Sequence, residues 1–367
     1  MIATKRIRTL IVDDSAVVRK FLTERLSQDP EIEVVGSAMD PYEARDQIRE
    51  LNPDVLTLDI EMPRMDGLTF LRILMKHHPL PVIVISSVTK EGSDKSLEAL
   101  QAGAVDVLPK SGGCYSVALD TAALVEMIKA AARARIHPNT SPPLVPTGRT
   151  LQVSAVAGAN ANRRYRSRQI ILMGASTGGT EALREILTQL PADLPGICIV
   201  QHIPPVFSRA FAERLNQVCR FQVREAKHGD RAQPGVALVA PGGYHMILKW
   251  DGTHHRVELG QGPTVHHQRP AVDVLFSSAA RAGSSPYTLA VLCTGMGSDG
   301  AAGMKELRDA GAETVAQNEE TCVVFGMPRE AIRNGGAQYV LPLGTIATHI
   351  NTYASRMAQT GLISSSR

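Results

Sequence analysis

Two groups of residues have the types and spacing for chemistry. The first is Gln169-Ile-Ile-Leu-Met-Gly-Ala-Ser-Thr-Gly-Gly-Thr180. Here an apolar run stops at Gly174-Ala175-Ser176-Thr177-Gly178-Gly179 and a helical pattern follows at once. A tight strand-to-helix turn exposes the hydroxyl, and the N–H groups and positive dipole end of the helix point to the same place. Gly174-x-Ser176-x-Gly178 fits the nucleophile-elbow pattern. Gly174-x-Ser176-x-x-Gly179 is one glycine short of a dinucleotide fingerprint, and glycine-rich turns also cradle phosphates. The stretch alone leaves both readings open. The second group is Asp13-Asp14, Asp59, Ser86-Ser87 and Pro109-Lys110, each at the end of an apolar run. Three carboxylates at one sheet edge repel one another unless a cation neutralises them. Oxygen ligands with no Cys or His nearby point to Mg²⁺. Lys110 adds a positive charge and Ser86 a donor, which suits a phosphoryl group arriving on one carboxylate. A single Asp at a strand end is often a helix N-cap; the four strand ends together carry the argument.

These groups need elements to position them. Residues 7–136 alternate strand and helix, with strands expected at Thr9–Val12, Glu33–Ser37, Asp54–Leu58, Pro81–Ile85 and Val105–Leu108. Val17, Val18, Phe21, Leu22 and Leu26 recur at helical spacing. Short apolar strands separated by helices predict a parallel sheet covered on both faces, and such sheets bind ligands beyond their carboxyl ends. A long amphipathic helix is expected at about Ser116–Ile136. Residues 137–168 then read as a linker, stiffened by Pro138, Pro142, Pro143 and Pro146, and ending in a basic run from Arg163 to Arg168.

Residues 169–357 resume the alternation, with strands expected at 169–173, 196–201, 236–240, 288–294, 313–317 and 338–341. Asp251-Gly252 predicts a hairpin pairing Met246–Trp250 with His255–Leu259. Residues 358–367 read as a tail, frayed from Ile363 onward. The fold class is α/β, with two doubly wound domains. One is a five-stranded parallel flavodoxin-like unit; the other is larger, mostly parallel, and carries the antiparallel hairpin.

A serine nucleophile needs a base and a group to orient that base. The strand at 196–201 ends in Gln201-His202, and the strand at 288–294 runs into Thr294-Gly-Met-Gly-Ser-Asp299-Gly300. His and Asp at such places are usually turn or cap residues. Ser176, His202 and Asp299 nevertheless all fall at carboxyl ends of strands in one domain. The chain order Ser, His, Asp differs from the Ser, Asp, His order of an α/β-hydrolase, and a triad is recognised by geometry and roles.

Composition narrows the classes. The chain has 367 residues, 44% hydrophobic and 20% charged, with a net charge of +3. That balance is ordinary for a soluble globular protein and gives little ground for nucleic-acid binding or membrane insertion. Five scattered cysteines, odd in number and in no CxxC pair, suit reduced thiols in a cytoplasm.

Residues 7–128 resemble a response-regulator receiver domain, through Asp13-Asp14, Asp59-Ile-Glu-Met-Pro-Arg-Met-Asp-Gly67, Ser86 and Leu108-Pro109-Lys110. The resemblance implies that Asp59 is the phosphoacceptor and that Asp13, Asp14 and Asp59 hold Mg²⁺. It further implies that Ser86 and Lys110 sense the phosphoryl group and that the Pro109 peptide bond is cis. The remainder resembles the catalytic domain of the chemotaxis protein-glutamate methylesterase (CheB) family. The match rests on Gly174-Ala-Ser-Thr-Gly-Gly-Thr180, Gln201-His202, Ala240-Pro-Gly-Gly243, Arg269-Pro-Ala-Val-Asp273 and Thr294-Gly-Met-Gly-Ser-Asp-Gly-Ala-Ala-Gly-Met304. Gln268 departs from the family's usual His before Arg-Pro, with His266 and His267 close by.

On this resemblance the chain divides into a receiver at 1–136, a linker at 137–168, a methylesterase domain at 169–357 and a tail at 358–367. Ser176 would attack the γ-carbonyl of a methylated glutamate on a chemoreceptor's cytoplasmic helix, with His202 as base, Asp299 as its orienter, and Met296 and Thr177 supporting the oxyanion. The esterase step needs no cofactor, and deamidation of glutamine would use the same machinery. A sensor histidine kinase of the chemotaxis type would be the phosphodonor, and the location cytoplasmic. The glycines around Ser176 read as room for a receptor helix to approach. The alternative is a non-enzymatic two-component signalling adaptor whose C-terminal domain binds a nucleotide or protein partner.

Overall fold

The computed structural model describes residues 5–87, 89–110, 119–135 and 168–363. The expected linker lies outside them except for Arg168, and so do Cys114 and residues 364–367. The first half runs β1 (Ile7–Val12), α1 (Ala16–Leu26), β2 (Ile32–Ala38), α2 (Pro41–Leu51), β3 (Val55–Asp59), α3 (Gly67–His77), β4 (Val82–Ser87), α4 (Lys90–Gln101), β5 (Asp106–Lys110) and α5 (Thr121–Ala131). Its five strands pair in parallel in the order β2-β1-β3-β4-β5, the flavodoxin-like order. Local chemistry sets the element ends. Asp40 accepts hydrogen bonds from the Tyr42 and Glu43 N–H groups, and Pro41 takes the first position of α2. Leu22, Leu26, Leu124 and Ile128 of α1 and α5 cover one sheet face; Ala44, Ile48, Leu71 and Leu74 of α2 and α3 cover the other.

Two expectations here need correction. The helix after β5 begins at Thr121, because Asp120 caps it by accepting from the Ala123 N–H; Ser116 lies outside the described residues. The Pro109 peptide bond is trans, and among the described residues the one cis bond is Arg269–Pro270. β5 stays extended through Pro109, which sits opposite Ser86 and carries the strand on to Lys110.

The second half runs β6 (Ile170–Ala175), α6 (Gly179–Thr188), β7 (Gly196–Gln201), α7 (Pro205–Val218), β8 (Gln222–Glu225), β9 (Val236–Val239), β10 (His245–Trp250), β11 (His255–Gly260), α8 (Val272–Arg281), β12 (Thr288–Leu292), α9 (Ala301–Asp309), β13 (Glu313–Gln317), α10 (Met327–Arg333), β14 (Tyr339–Leu341) and α11 (Leu343–Ile363). Seven strands pair in parallel in the order β14-β13-β12-β6-β7-β9-β8. The chain leaves β6 in one direction through β7 and later returns to β12 on the other side. The strand order therefore switches direction at β6, where a doubly wound sheet opens a crevice. The hairpin forms as expected, with Met246 opposite Leu259 and Trp250 opposite His255. Its turn is four residues long: Asp251 accepts from Thr253 and His254 N–H, and Gly252 sits at φ +95°. β8 was not expected, because an edge strand reading Gln-Val-Arg-Glu buries a single apolar side chain. The last helix continues through Ile363, past the boundary expected at 357. No helix among the described residues is long and apolar enough to cross a membrane.

The two halves touch. Leu97 and Leu100 of α4 join Phe207 and Phe211 of α7 in one continuous apolar cluster. The Ser93 hydroxyl donates to the Val206 carbonyl at 3.2 Å, and the Arg135 N–H donates to the Val323 carbonyl at 3.1 Å.

Candidate active site and phosphoacceptor site

β6 delivers Ser176 to the crevice, β7 delivers His202, and the loop after β12 delivers Asp299. His202 Nδ1 lies 3.1 Å from Ser176 Oγ, and His202 Nε2 lies 2.7 Å from Asp299 Oδ2. An ionised carboxylate only accepts, so Nε2 carries the imidazole proton and Nδ1 turns its lone pair to the serine hydroxyl. Asp299 is 1% exposed. Burial pushes its carboxyl up, but hydrogen bonds from His202 and from the Asp273 and Val272 N–H groups outweigh burial and hold it below the ordinary range.

Those two N–H groups open α8. The residue before them, Ala271, offers no capping side chain, and Asp299 supplies the cap from another loop. The Val272 N–H reaches Oδ2 at 2.6 Å and the Asp273 N–H reaches Oδ1 at 2.9 Å. Asp273 does the same for α9, where its Oδ1 accepts from the Gly303 N–H at 2.7 Å, and its Oδ2 meets His266 Nε2 at 2.9 Å. His266, Asp273 and Asp299 place ligand-type atoms within 4.8 Å of one another. The oxygens of both carboxylates are already taken by N–H donors, so this is a capping network. The positive ends of two helices thereby favour a negative charge beside the imidazole.

Thr177 is held by the other half of the chain. Its hydroxyl donates to Asp106 Oδ2 of β5 at 2.6 Å, while its carbonyl accepts from Thr294 Oγ1 at 3.0 Å. Burial raises the Asp106 carboxyl above its ordinary value, against the opposing hydrogen bonds from Thr177 and the Val107 N–H. The Ser176 N–H is committed to the Thr294 carbonyl at 3.0 Å; among the described residues the Thr177 and Met296 N–H groups have no such partner. A shallow cleft at the junction is lined by Leu97, Leu100 and Asp106 from the first half, and by Ser176, His202 and Phe207 from the second.

The glycines beside Ser176 serve internal packing rather than approach by a partner. A Cβ on Gly174 would lie 2.4 Å from Val272 Cγ1, and one on Gly179 would lie 2.3 Å from Gln201 Oε1. Gly178 adopts φ +75° against the Val323 side chain. Asp106, Asp273 and the side-chain role of Gln201 were not singled out from sequence. Asp273 and Gln201 lay inside quoted motifs, but only the fold shows what their side chains hold.

In the other half, Lys110 Nζ donates to Asp59 Oδ2 at 2.7 Å and to Asp13 Oδ2 at 3.1 Å. Asp13, Asp14 and Asp59 present oxygens within 4.8 Å of one another. Burial raises Asp59 to about 6, with Lys110 pulling it down and Asp13 pushing it up. Burial raises Asp13 as well, against Lys110. Lys110 alone does not neutralise the cluster, so an oxygen-seeking divalent cation fits this donor set. Ser86 is buried at the neighbouring strand end, where its hydroxyl donates to the Gly92 carbonyl at 3.2 Å.

Comparison with known proteins finds relatives for both halves of the chain. The family model of CheB methylesterase matches residues 171–350, and that of the response regulator receiver domain matches residues 9–115. A protein-glutamate methylesterase/protein-glutamine glutaminase 2 of Syntrophus aciditrophicus is 51% identical over 346 residues, covering 94% of this chain and 98% of that protein. Similarly named proteins of Oleidesulfovibrio alaskensis and Geobacter metallireducens are each 49% identical, over 351 and 352 residues, again covering 94% of this chain and 98% of theirs. With relatives this similar along nearly its whole length, the chain belongs to the CheB methylesterase family, with a response-regulator receiver domain ahead of the catalytic domain.

Proposed function

We propose that this chain hydrolyses glutamate γ-methyl esters on the cytoplasmic helices of chemoreceptors, and deamidates glutamine there, under control of phosphorylation at Asp59. The observation that carries the reading is the continuous chain from Ser176 Oγ to His202 Nδ1 at 3.1 Å and from His202 Nε2 to Asp299 Oδ2 at 2.7 Å. Ser176 Oγ attacks the γ-carbonyl carbon as its proton passes to His202 Nδ1. The C–O double bond opens to an oxyanion, which the Met296 and Thr177 N–H groups are available to receive. Asp299 holds the imidazolium that results. The tetrahedral species collapses, the ester C–O bond breaks, and His202 returns the proton to the leaving oxygen as methanol. Water then attacks the acyl-serine and gives its proton to His202. Glutamate is released and Ser176 takes the proton back. With an amide, ammonia leaves in place of methanol.

Asp59 is the acceptor for a phosphoryl group, donated by a sensor histidine kinase of the chemotaxis type. Asp13, Asp14 and Asp59 would hold Mg²⁺, which supplies charge neutralisation when bound. Lys110 stands ready to pair with the phosphoryl oxygens. Ser86 reaches them only after releasing the Gly92 carbonyl. The domain division is a receiver at 1–136, a linker at 137–168 and a catalytic domain from 169. In the unphosphorylated arrangement the receiver covers the crevice; Asp106 on Thr177 and the α4–α7 contact support this. Phosphorylation then acts by shifting the domains apart. The test is methanol release from methylated receptor membranes: Ser176→Ala should abolish it, and release at the unmodified rate would end the serine mechanism.

A further inference from the structure

The ladder between β6 and β7 stops where the catalytic residues begin. Ala175 and Gln201 are its last partners in register, and the His202 N–H still reaches the Ala175 carbonyl at 3.0 Å. Beyond that point Ser176 turns toward α6 and His202 toward Pro204, so their carbonyls leave the ladder. One side chain collects both. Gln201 Nε2 donates to the Ser176 carbonyl at 2.8 Å and to the His202 carbonyl at 3.0 Å. A primary amide is planar and carries two N–H donors, one for each carbonyl.

The same side chain carries a cost. Gln201 is 3% exposed, and its buried Oε1 has no partner among the described residues. Gly179 is what admits it, since a Cβ there would lie 2.3 Å from that oxygen. A leucine of similar size would remove that orphaned acceptor but withdraw both donors, leaving the His202 carbonyl without this partner and the Ser176 carbonyl with the Gly179 N–H alone; the two costs offset, so stability alone does not single out glutamine.

We propose that Gln201 is a positioning residue for the esterase reaction. By tying the carbonyls of Ser176 and His202 to one rigid amide, it fixes the separation of the two main chains beyond the last β6–β7 pair, where the Thr294 carbonyl holds the Ser176 N–H and the Gly179 N–H shares the Ser176 carbonyl. That separation sets the 3.1 Å approach of Oγ to Nδ1. The proposal rests on the reading of Ser176 and His202 as nucleophile and base. Catalytic geometry is steep: a misplacement of about 1 Å can cost about 100-fold.

The test compares full-length Gln201→Leu, Gln201→Glu and Ser176→Ala with the unmodified chain. It follows methanol release from methylated receptor membranes, the rate at which a fluorophosphonate labels Ser176, and the melting temperature. Both Gln201 variants should lower kcat between about tenfold and about 100-fold, with KM unchanged and labelling slowed by the same factor. Gln201→Leu should melt close to the unmodified chain, because the relief of the orphaned Oε1 offsets the loss of donors to the two carbonyls. Gln201→Glu has no N–H and, buried against two carbonyls, at most a single O–H to donate, so it too loses the double tie and should be slowed. Unmodified kcat and labelling in both variants would overturn the proposal. So would a loss of activity that follows a fall in melting temperature while labelling keeps its rate, or a raised KM with kcat intact. If Ser176→Ala is inactive while the Gln201 variants are normal, the positioning role alone falls. If Ser176→Ala retains activity, the serine reading falls and takes the positioning role with it.

Discussion

Replacing Asp59 with asparagine should make the receiver more stable, by an amount that depends on pH. The Asp59 side chain is 3% exposed, and burial has raised its carboxyl from 3.8 to about 6 despite Lys110. A carboxyl raised in this way binds more protons in the folded chain than in the unfolded one. Its favourable contribution is complete below about 3.8 and is lost as pH rises through about 6. Fully ionised, it costs the fold about 3 kcal/mol, at about 1.36 kcal/mol for each tenfold change in proton affinity. Asp59→Asn keeps the shape and removes the charge. In a metal chelator it should stabilise the receiver by about 3 kcal/mol at pH 8 and by about half that at pH 5. For a domain of this size that is a rise in melting temperature of about 10 °C at the higher pH. Trp250, the single tryptophan, lies in the catalytic half, so intrinsic tryptophan fluorescence does not follow the receiver. Differential scanning calorimetry of the full chain, tracking the receiver's transition, does. Added Mg²⁺ should shrink the difference by stabilising the unmodified chain. An equal gain at pH 5 and pH 8, or a variant that melts lower, would refute the reasoning.

Two further outcomes follow from the site. Asp299→Asn should leave the chain folded yet lower methanol release by about 10³- to 10⁴-fold, because an amide cannot accept from Nε2 and from both α8 N–H groups as a carboxylate does; steady-state release with circular dichroism of the variant checks both halves. Asp106→Asn keeps an acceptor for the Thr177 hydroxyl and removes the charge that burial penalises. The covered arrangement should tighten, so that release without phosphodonor falls and the stimulation by acetyl phosphate grows. Higher unstimulated release in that variant would count against receiver occlusion.

The strand-end logic located Ser176, His202, Asp299 and the carboxylate cluster because each follows an apolar run, and a parallel sheet brings such ends together. It could not see that Asp299 caps α8. The two lie far apart in sequence, and the only local sign is Ala271, a residue without capping capacity. Nor could it see Asp106 against Thr177, a contact that depends on how α4 and α7 pack. The packing role of the glycines in the Ser176 turn is hidden from the sequence for the same reason. Their neighbours, Val272, Gln201 and Val323, come from the start of α8, the end of β7 and the loop before α10. Polar edge strand β8 lacks the alternation that marks a half-buried strand.

The double duty of Asp299 bears on how such enzymes decay over evolutionary time. Selection for folding and selection for turnover act on the same carboxylate, because it closes the first turn of α8 as well as holding the imidazole. Ser176 and His202 carry no comparable helix-capping duty. A descendant released from its reaction but retained for its receiver or its binding surface should therefore lose the serine or the histidine first. The aspartate should persist in the lineage as a relic of an activity already gone.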